Sequence, residues 1–315
     1  MKTTESKIKS MKKVIVATMS MLTAATIAFV STIGFTMNDS KQMKETTSSN
    51  KVTMSQKGQP TTEHENKESI ECARLKGLRK YKLSTTTKYF DGKPYQVADE
   101  KDVLRLSKEF AIVLEKYFKS CGASDWSNPY TEEFWPYEIE YLVTALAFQE
   151  SSYRTDVINE RGCGGLTGLH EEDVLKTLGD QWLVPRIWGD NVPQVNCNPD
   201  EVDIFNGTTC IEYTYYHIGY LLANRFKNAK YFIDEDGTKR SVWDEIEFTE
   251  DNQLRLIIAS YFYGVNNVVD SVFGRNYDSN GKLIPLKDYI YSDYVESVLD
   301  KMIELEILYE PSYVF

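Results

Sequence analysis

Histidine is nearly absent from this chain. Three residues in 315, His64, His170 and His217, are too few and too scattered to build a zinc site. Cysteine is sparse as well: Cys72, Cys121, Cys163, Cys197 and Cys210 contain no C-x-x-C pair. Neither a metal nor an organic cofactor is implied by what is left. Positive charge is also in deficit, with 36 lysines and arginines against 47 acids and a net charge of −11. An acidic body excludes nucleic acid as a partner, because phosphate binding needs basic surface. It also argues against simple electrostatic capture by an anionic polymer, so something else must hold the protein near its target.

What positive charge there is gathers at the start. Residues 1–13 carry Lys2, Lys7, Lys9, Lys12 and Lys13 against Glu5 alone. The uncharged run 14–35 follows, VIVATMSMLTAATIAFVSTIGF. A helix of that length spans roughly 33 Å, enough to cross a hydrocarbon core. The preceding lysines keep residues 1–13 in the cytoplasm and send the rest outward. Residues 14–36 are therefore expected to be a single membrane anchor. A cleavable signal peptide is the alternative, which would leave the protein secreted, although the run is long and ends without a clear A-x-A site. Residues 37–70 are rich in Ser, Thr, Lys, Glu and Gln, cannot bury enough apolar surface to offset ordering entropy, and read as a flexible tether.

With 42% hydrophobic residues and 21 tyrosines, the remainder can form a substantial core. Residues 71–135 are expected to be a helical extension, with a turn at Asp91-Gly92 and a helix over Asp99 to Lys119. A second helix starts near Tyr137 and carries Glu150. Further helices are expected at His170 to Gly179, Cys210 to Phe226, Leu254 to Tyr263 and residues 289–307. Asp236-Gly237 and Asn280-Gly281 signal hairpins. The loop over residues 180–198, with Trp182 and Trp188, is placed to wall a groove or to be pinned by its own tryptophans.

The chain is organised around residues 141–169, YLVTALAFQESSYRTDVINERGCGGLTGL. An apolar helix ends at a carboxylate, Glu150, and a glycine turn, Gly162-Cys163-Gly164-Gly165, folds back about fifteen residues later. Acids near helix ends are commonplace, but two features single this one out. Leu146, Ala147, Phe148 and Tyr153 solvate a carboxylate poorly, and a helix C-terminus is the negative end of the macrodipole. Both raise a carboxyl pKa toward the range of a general acid.

This stretch resembles the catalytic core of the lytic transglycosylases that cleave peptidoglycan, within the lysozyme-like group. There a helix ends in E-S-x-[FY] and is followed by S-x-x-G-x-x-G-L-M-Q-L. Glu150, Ser151 and Tyr153 fall on the first motif; Gly162, Gly165, Leu166 and Leu169 fall on the second without a gap. Asn159 stands where the family usually has Ser, Thr167 where it has Met, and Gly168 where it has Gln. Farther on, SYFYGVNNV resembles A-Y-N-x-G-x-x-x-V, with Tyr261, Gly264 and Val268 matching and Phe262 in place of the Asn. Tyr294, Val295, Val298 and Leu299 resemble the closing Y-V-x-x-V-L helix. The fold implied for residues 136–315 is mainly α, a lysozyme-like helical domain with small hairpin insertions, preceded by the transmembrane helix and disordered tether.

The resemblance implies Glu150 as the catalytic acid, with the Tyr261 hydroxyl pointing toward it. It implies Ser151, Tyr153, Asn159, Gly165, Leu166, Thr167, Gly168, Leu169 and Phe262 as substrate-binding positions. Its chemistry needs one carboxylate, no metal and no cofactor, and leaves 1,6-anhydro sugar ends on the glycan. The implied partners are peptidoglycan strands, the cytoplasmic membrane through residues 14–36, and secretion or conjugation machinery that spans the wall. Hydrolysis, as in goose-type lysozymes, is the nearest alternative. A glycan-binding or scaffold protein that kept the fold without turnover is another. Outside the membrane disulfides persist, so Cys163 with Cys197 or Cys210, and Cys72 with Cys121, are candidate pairs. A Cys163–His170 nucleophile pair is conceivable but lacks an evident orienting partner.

Overall fold

A computed structural model of the chain describes residues 70–120, 135, 138–174, 202–221, 232–233, 237 and 239–310. The expected anchor over 14–36, nearly all of the tether, Trp182, Trp188 and Cys197 lie outside the described residues. No helix among the described residues is long and apolar enough to cross a membrane. Helix accounts for 59% of what is described, which makes the class mainly α.

The chain enters through α1 (Ile70–Arg79), a hairpin of β1 (Thr85–Phe90) and β2 (Lys93–Ala98), and α2 (Glu100–Ser120). Residues 71–135 are thus not purely helical. The β-branched run Thr85–Thr87 favours a strand, and Asp91 and Gly92 both take positive φ, the geometry of a two-residue hairpin turn. α2 buries Val103, Leu106, Phe110 and Leu114 along one stripe, and the Asp99 carboxylate accepts from Asp102 N at its start.

The central helix is α3 (Ile139–Ser151), buried from Ile139 through Ala147 apart from Glu140. A helix apolar on every side needs neighbours on every side; α2, α5 (Gly207–Leu221) and α9 (Asp293–Tyr309) provide them. Between α3 and α5 lie the two-residue strands β3 (Cys163–Gly164) and β4 (Leu169–His170) and the short α4 (Glu171–Val174). His170 pairs with Cys163 in β4 rather than opening a helix. β5 (Phe232–Ile233) and β6 (Lys239–Arg240) form the hairpin signalled by Asp236-Gly237.

α6 (Glu250–Tyr263), capped by the Thr249 hydroxyl, runs into α7 (Val265–Val272) through Gly264. The closing segment departs from the expected single helix over 289–307. α8 (Leu286–Ile290) stops at Tyr291, and Ser292, accepting from Val295 N, caps a new helix, α9. The hydroxyl competes for the backbone just where apolar spacing alone would carry the helix through.

Candidate active site

The end of α3 closes in an unusual way. Ser152 N donates to Phe148 O and Tyr153 N to Ala147 O, a closure that favours glycine at the left-handed position. Here Ser152 and Tyr153 both take positive φ, 54° and 63°. Two consecutive non-glycine residues in this region hold only where the surroundings over-determine them. They do: Tyr153 O accepts from Ala98 N, its hydroxyl donates to Glu100, and the Ser151 hydroxyl donates to Ala147 O and Leu166 O. The last of these ties the helix end directly to the glycine loop.

That loop turns back over Glu150. At Gly165, a Cβ would lie 1.8 Å from Ile204 O, so only glycine fits. At Gly168, with φ 65°, it would lie 2.8 Å from Glu150 Oε2. The bare Cα of Gly168 is therefore one wall of the carboxyl's pocket. On the other side the Tyr294 hydroxyl, from α9, donates to Glu150 Oε1. Phe262 lies flat against Tyr294, with ring centroids 3.9 Å apart and planes 15° from parallel, and is itself exposed.

Glu150 is partly exposed, yet its carboxyl has lost most of its water. Burial raises its pKa, the Tyr294 hydrogen bond pulls it back, and the balance is about 7. Burial and the neighbouring Glu150 raise Tyr294 and Tyr261 far enough to keep both as hydroxyl donors at any physiological pH. The site thus holds a carboxyl that keeps its proton to far higher pH than a free glutamate does, with a permanent donor at one oxygen.

The expected site residues divide into three groups. Glu150, Gly168, Tyr261 and Phe262 come together. Tyr261 donates to Thr167 O at 2.9 Å rather than to Glu150, so it fixes the loop while Tyr294 touches the acid. Ser151, Tyr153, Gly165, Leu166, Thr167 and Leu169 are buried and support the pocket from behind. Thr167, expected on a groove wall, packs inward with its hydroxyl 3.2 Å from that of Thr214. Asn159 holds the turn before β3, its Oδ1 accepting from Arg161 N and Cys163 N.

Two residues enter that the motif reading did not assign to the site. Tyr294 lies within the closing-helix pattern, which by itself marks only a helix position. His217 has its ring stacked on Tyr213 and edge-on to Tyr261, with centroids 5.9 and 5.6 Å away. Burial lowers its pKa to about 4, so it is a neutral imidazole at pH 7.

The pairing expected for Cys163 needs correction, while that of Cys72 with Cys121 lies outside the described residues. Cys163 and Cys210 are both free. The Cys210 thiol is buried and donates to Ile204 O at 2.9 Å, while Cys163 lies near the surface with its sulfur 3.2 Å from His170 Nε2. Burial raises the Cys163 pKa, the reverse of what an activated thiolate requires. Among the described residues no cluster of His, Cys, Asp and Glu could hold a metal ion.

Comparison of the chain with family models, with curated proteins and with solved structures gives no match in any of the three.

Proposed function

We propose that this chain is a membrane-tethered lytic transglycosylase that cleaves the β-1,4 bond between N-acetylmuramic acid and N-acetylglucosamine in peptidoglycan. The observation that carries the reading is Glu150: a partly exposed residue at a helix end whose desolvated carboxyl is balanced near neutrality and bonded by Tyr294. Burial raises its pKa and the Tyr294 hydroxyl lowers it. A single carboxyl poised in this way can serve as acid and then as base in one reaction, where ordinary glycosidases divide those roles between two carboxylates.

In this mechanism protonated Glu150 donates to the glycosidic oxygen as the bond to C1 breaks. The substrate's own N-acetyl group stabilises the cationic centre. Glu150, now ionised and held by Tyr294, accepts the proton of the muramyl 6-hydroxyl as that oxygen bonds to C1. Glu150 ends protonated, no water is consumed, and the product carries a 1,6-anhydro end. Residues 14–36 would keep the domain on the outer face of the cytoplasmic membrane, within reach of the wall and of any secretion or conjugation machinery that crosses it.

The test is mass spectrometry of peptidoglycan digested by the full chain and by Glu150→Gln. Anhydro ends from wild type, with none from the variant, are the expected result. Reducing ends would make the protein a hydrolase. Walls bound but left intact by both would make it a binding module.

A further inference from the structure

The β1–β2 hairpin has no part in the cleavage chemistry, yet it carries a basic and aromatic face. All six residues of β1 are exposed. Its register sets Lys88 opposite Tyr95 and Phe90 opposite Lys93, so these four side chains share one face. Arg154 lies over that face, its guanidinium carbon 5.2 Å from the centre of the Phe90 ring and 4.9 Å from that of Tyr95. Its Nε donates to Ser151 O at 2.7 Å, so the fork is fixed from behind with its outer N–H groups free. Lys88, Lys93 and Arg154 have no carboxylate partner among the described residues. The hairpin's one acid, Asp91, sits at the turn, and neighbouring Asp156 is engaged by Gln96 N on the far edge of β2.

In a chain of net charge −11, Arg154 over two aromatic rings, with Lys88 and Lys93 on the same hairpin face, forms a local site for an anion. We propose that this hairpin face binds the carboxylates of the stem peptides that hang from the glycan strand. This rests on the wall-cutting reading for its substrate. Three features favour a peptide over another anionic polymer. A guanidinium held by its Nε presents two parallel N–H donors to a carboxylate. The outer edge of β1 pairs with no other described strand and can accept an extended backbone. Arg154 is also anchored to Ser151, the residue after Glu150, which ties the hairpin face to the segment that carries the acid. The site further explains how an acidic body engages an anionic wall.

The experiment uses the full chain carrying Glu150→Gln, so that the strand stays intact while binding is measured. Its ligands are whole peptidoglycan, peptidoglycan stripped of stem peptides by an amidase, a synthetic stem peptide with free carboxylates, and poly(glycerol phosphate). Adding Arg154→Met should weaken binding to whole peptidoglycan at least fivefold and abolish binding of the free peptide. Binding to stripped glycan should not change. Arg154 also braces the hairpin, so Lys88→Gln/Lys93→Gln, at two exposed positions, should repeat the loss without disturbing the fold. Equal weakening on stripped and whole glycan would make Arg154 a structural brace and overturn the proposal. So would a peptide that fails to bind where poly(glycerol phosphate) does. Turnover by wild type is scored separately: peptide binding without cleavage removes the enzyme reading alone, and cleavage indifferent to these variants removes this site alone.

Discussion

Tyr294 donates its hydroxyl hydrogen to Oε1 of Glu150 across 144 residues of chain. The bond joins the end of the central helix to the start of the closing one, where Ser292 has just capped a new turn. Gly168 fills the remaining side with a bare Cα. Three separated segments thus converge on one carboxyl, and each contributes a different physical effect: desolvation, a donor, and room.

The Tyr294 contact stabilises the ionised acid, because a hydroxyl donates better to a carboxylate than to a carboxyl. Tyr294→Phe should therefore raise the Glu150 pKa above about 7 and move the alkaline limb of the pH–rate profile upward. The rate at the optimum should fall about 10–100-fold through lost orientation. An unshifted alkaline limb would show that the hydroxyl does not act on the acid.

Gly168→Ala should remove activity while leaving a folded protein. The added methyl would meet Glu150 Oε2 at 2.8 Å, and displacing the carboxyl by an ångström costs about 100-fold. Left-handed strain adds about 1–2 kcal/mol of destabilisation. Gly162→Ala has comparable strain, with φ 79° and nothing within 4 Å, and should lose the same stability with activity kept. Thermal melts and wall-clearing rates of the two variants separate contact from strain.

Much of this was legible in the sequence because it is local. Apolar spacing marks the body of α6 from Leu254 to Tyr263, and Asp91-Gly92 marks the turn between β1 and β2, while the Thr249 cap that starts α6 four residues earlier falls outside that spacing. The acid, too, was visible as a carboxylate among apolar neighbours. Tertiary contacts were not. The role of Tyr294 exists only because α9 packs on α3, and nothing in its own spacing separates it from a core tyrosine. Thr167 turned inward because the positive φ at Gly165 and Gly168 reverses the loop, which side-chain type alone does not reveal. His217 became a neutral neighbour of the site only through burial beside Tyr261.

Ionising Glu150 works against the fold. Its pKa is raised from 4.5 to about 7, so the associated stability is fully present below the unfolded value and is lost as pH rises through about 7. Glu150→Gln escapes that loss. Its stability relative to wild type should grow between pH 5 and pH 8.5 by on the order of 1–3 kcal/mol. Urea denaturation at the two pH values measures the difference, and parallel behaviour of the two proteins would mean that the carboxyl is better solvated than its surroundings indicate.

Behind the pocket, Lys301 and Glu100 should control both stability and rate. Lys301 Nζ lies 2.7 Å from Glu100 Oε2 and 4.5 Å from the centre of the Phe148 ring; the Tyr153 and Tyr309 hydroxyls also donate to Glu100, each at 3.0 Å. Burial alone would raise the Glu100 carboxyl, but Lys301 and the two tyrosines hold it below its ordinary value. Its contribution is therefore present above the unfolded carboxylate range and is lost as pH falls through the lowered one. Lys301→Met keeps the packing and strands the acid, which should cost roughly 3 kcal/mol at pH 7. The acid-side loss of stability should also flatten. Glu100→Gln/Lys301→Met removes both charges and should cost less than the sum of the single changes. Because Glu100 anchors the Tyr153 hydroxyl, and with it the left-handed turn just past Glu150, Lys301→Met should also slow cleavage at temperatures where it remains folded. Full activity in that folded variant would show that the turn holds its shape without the ion pair.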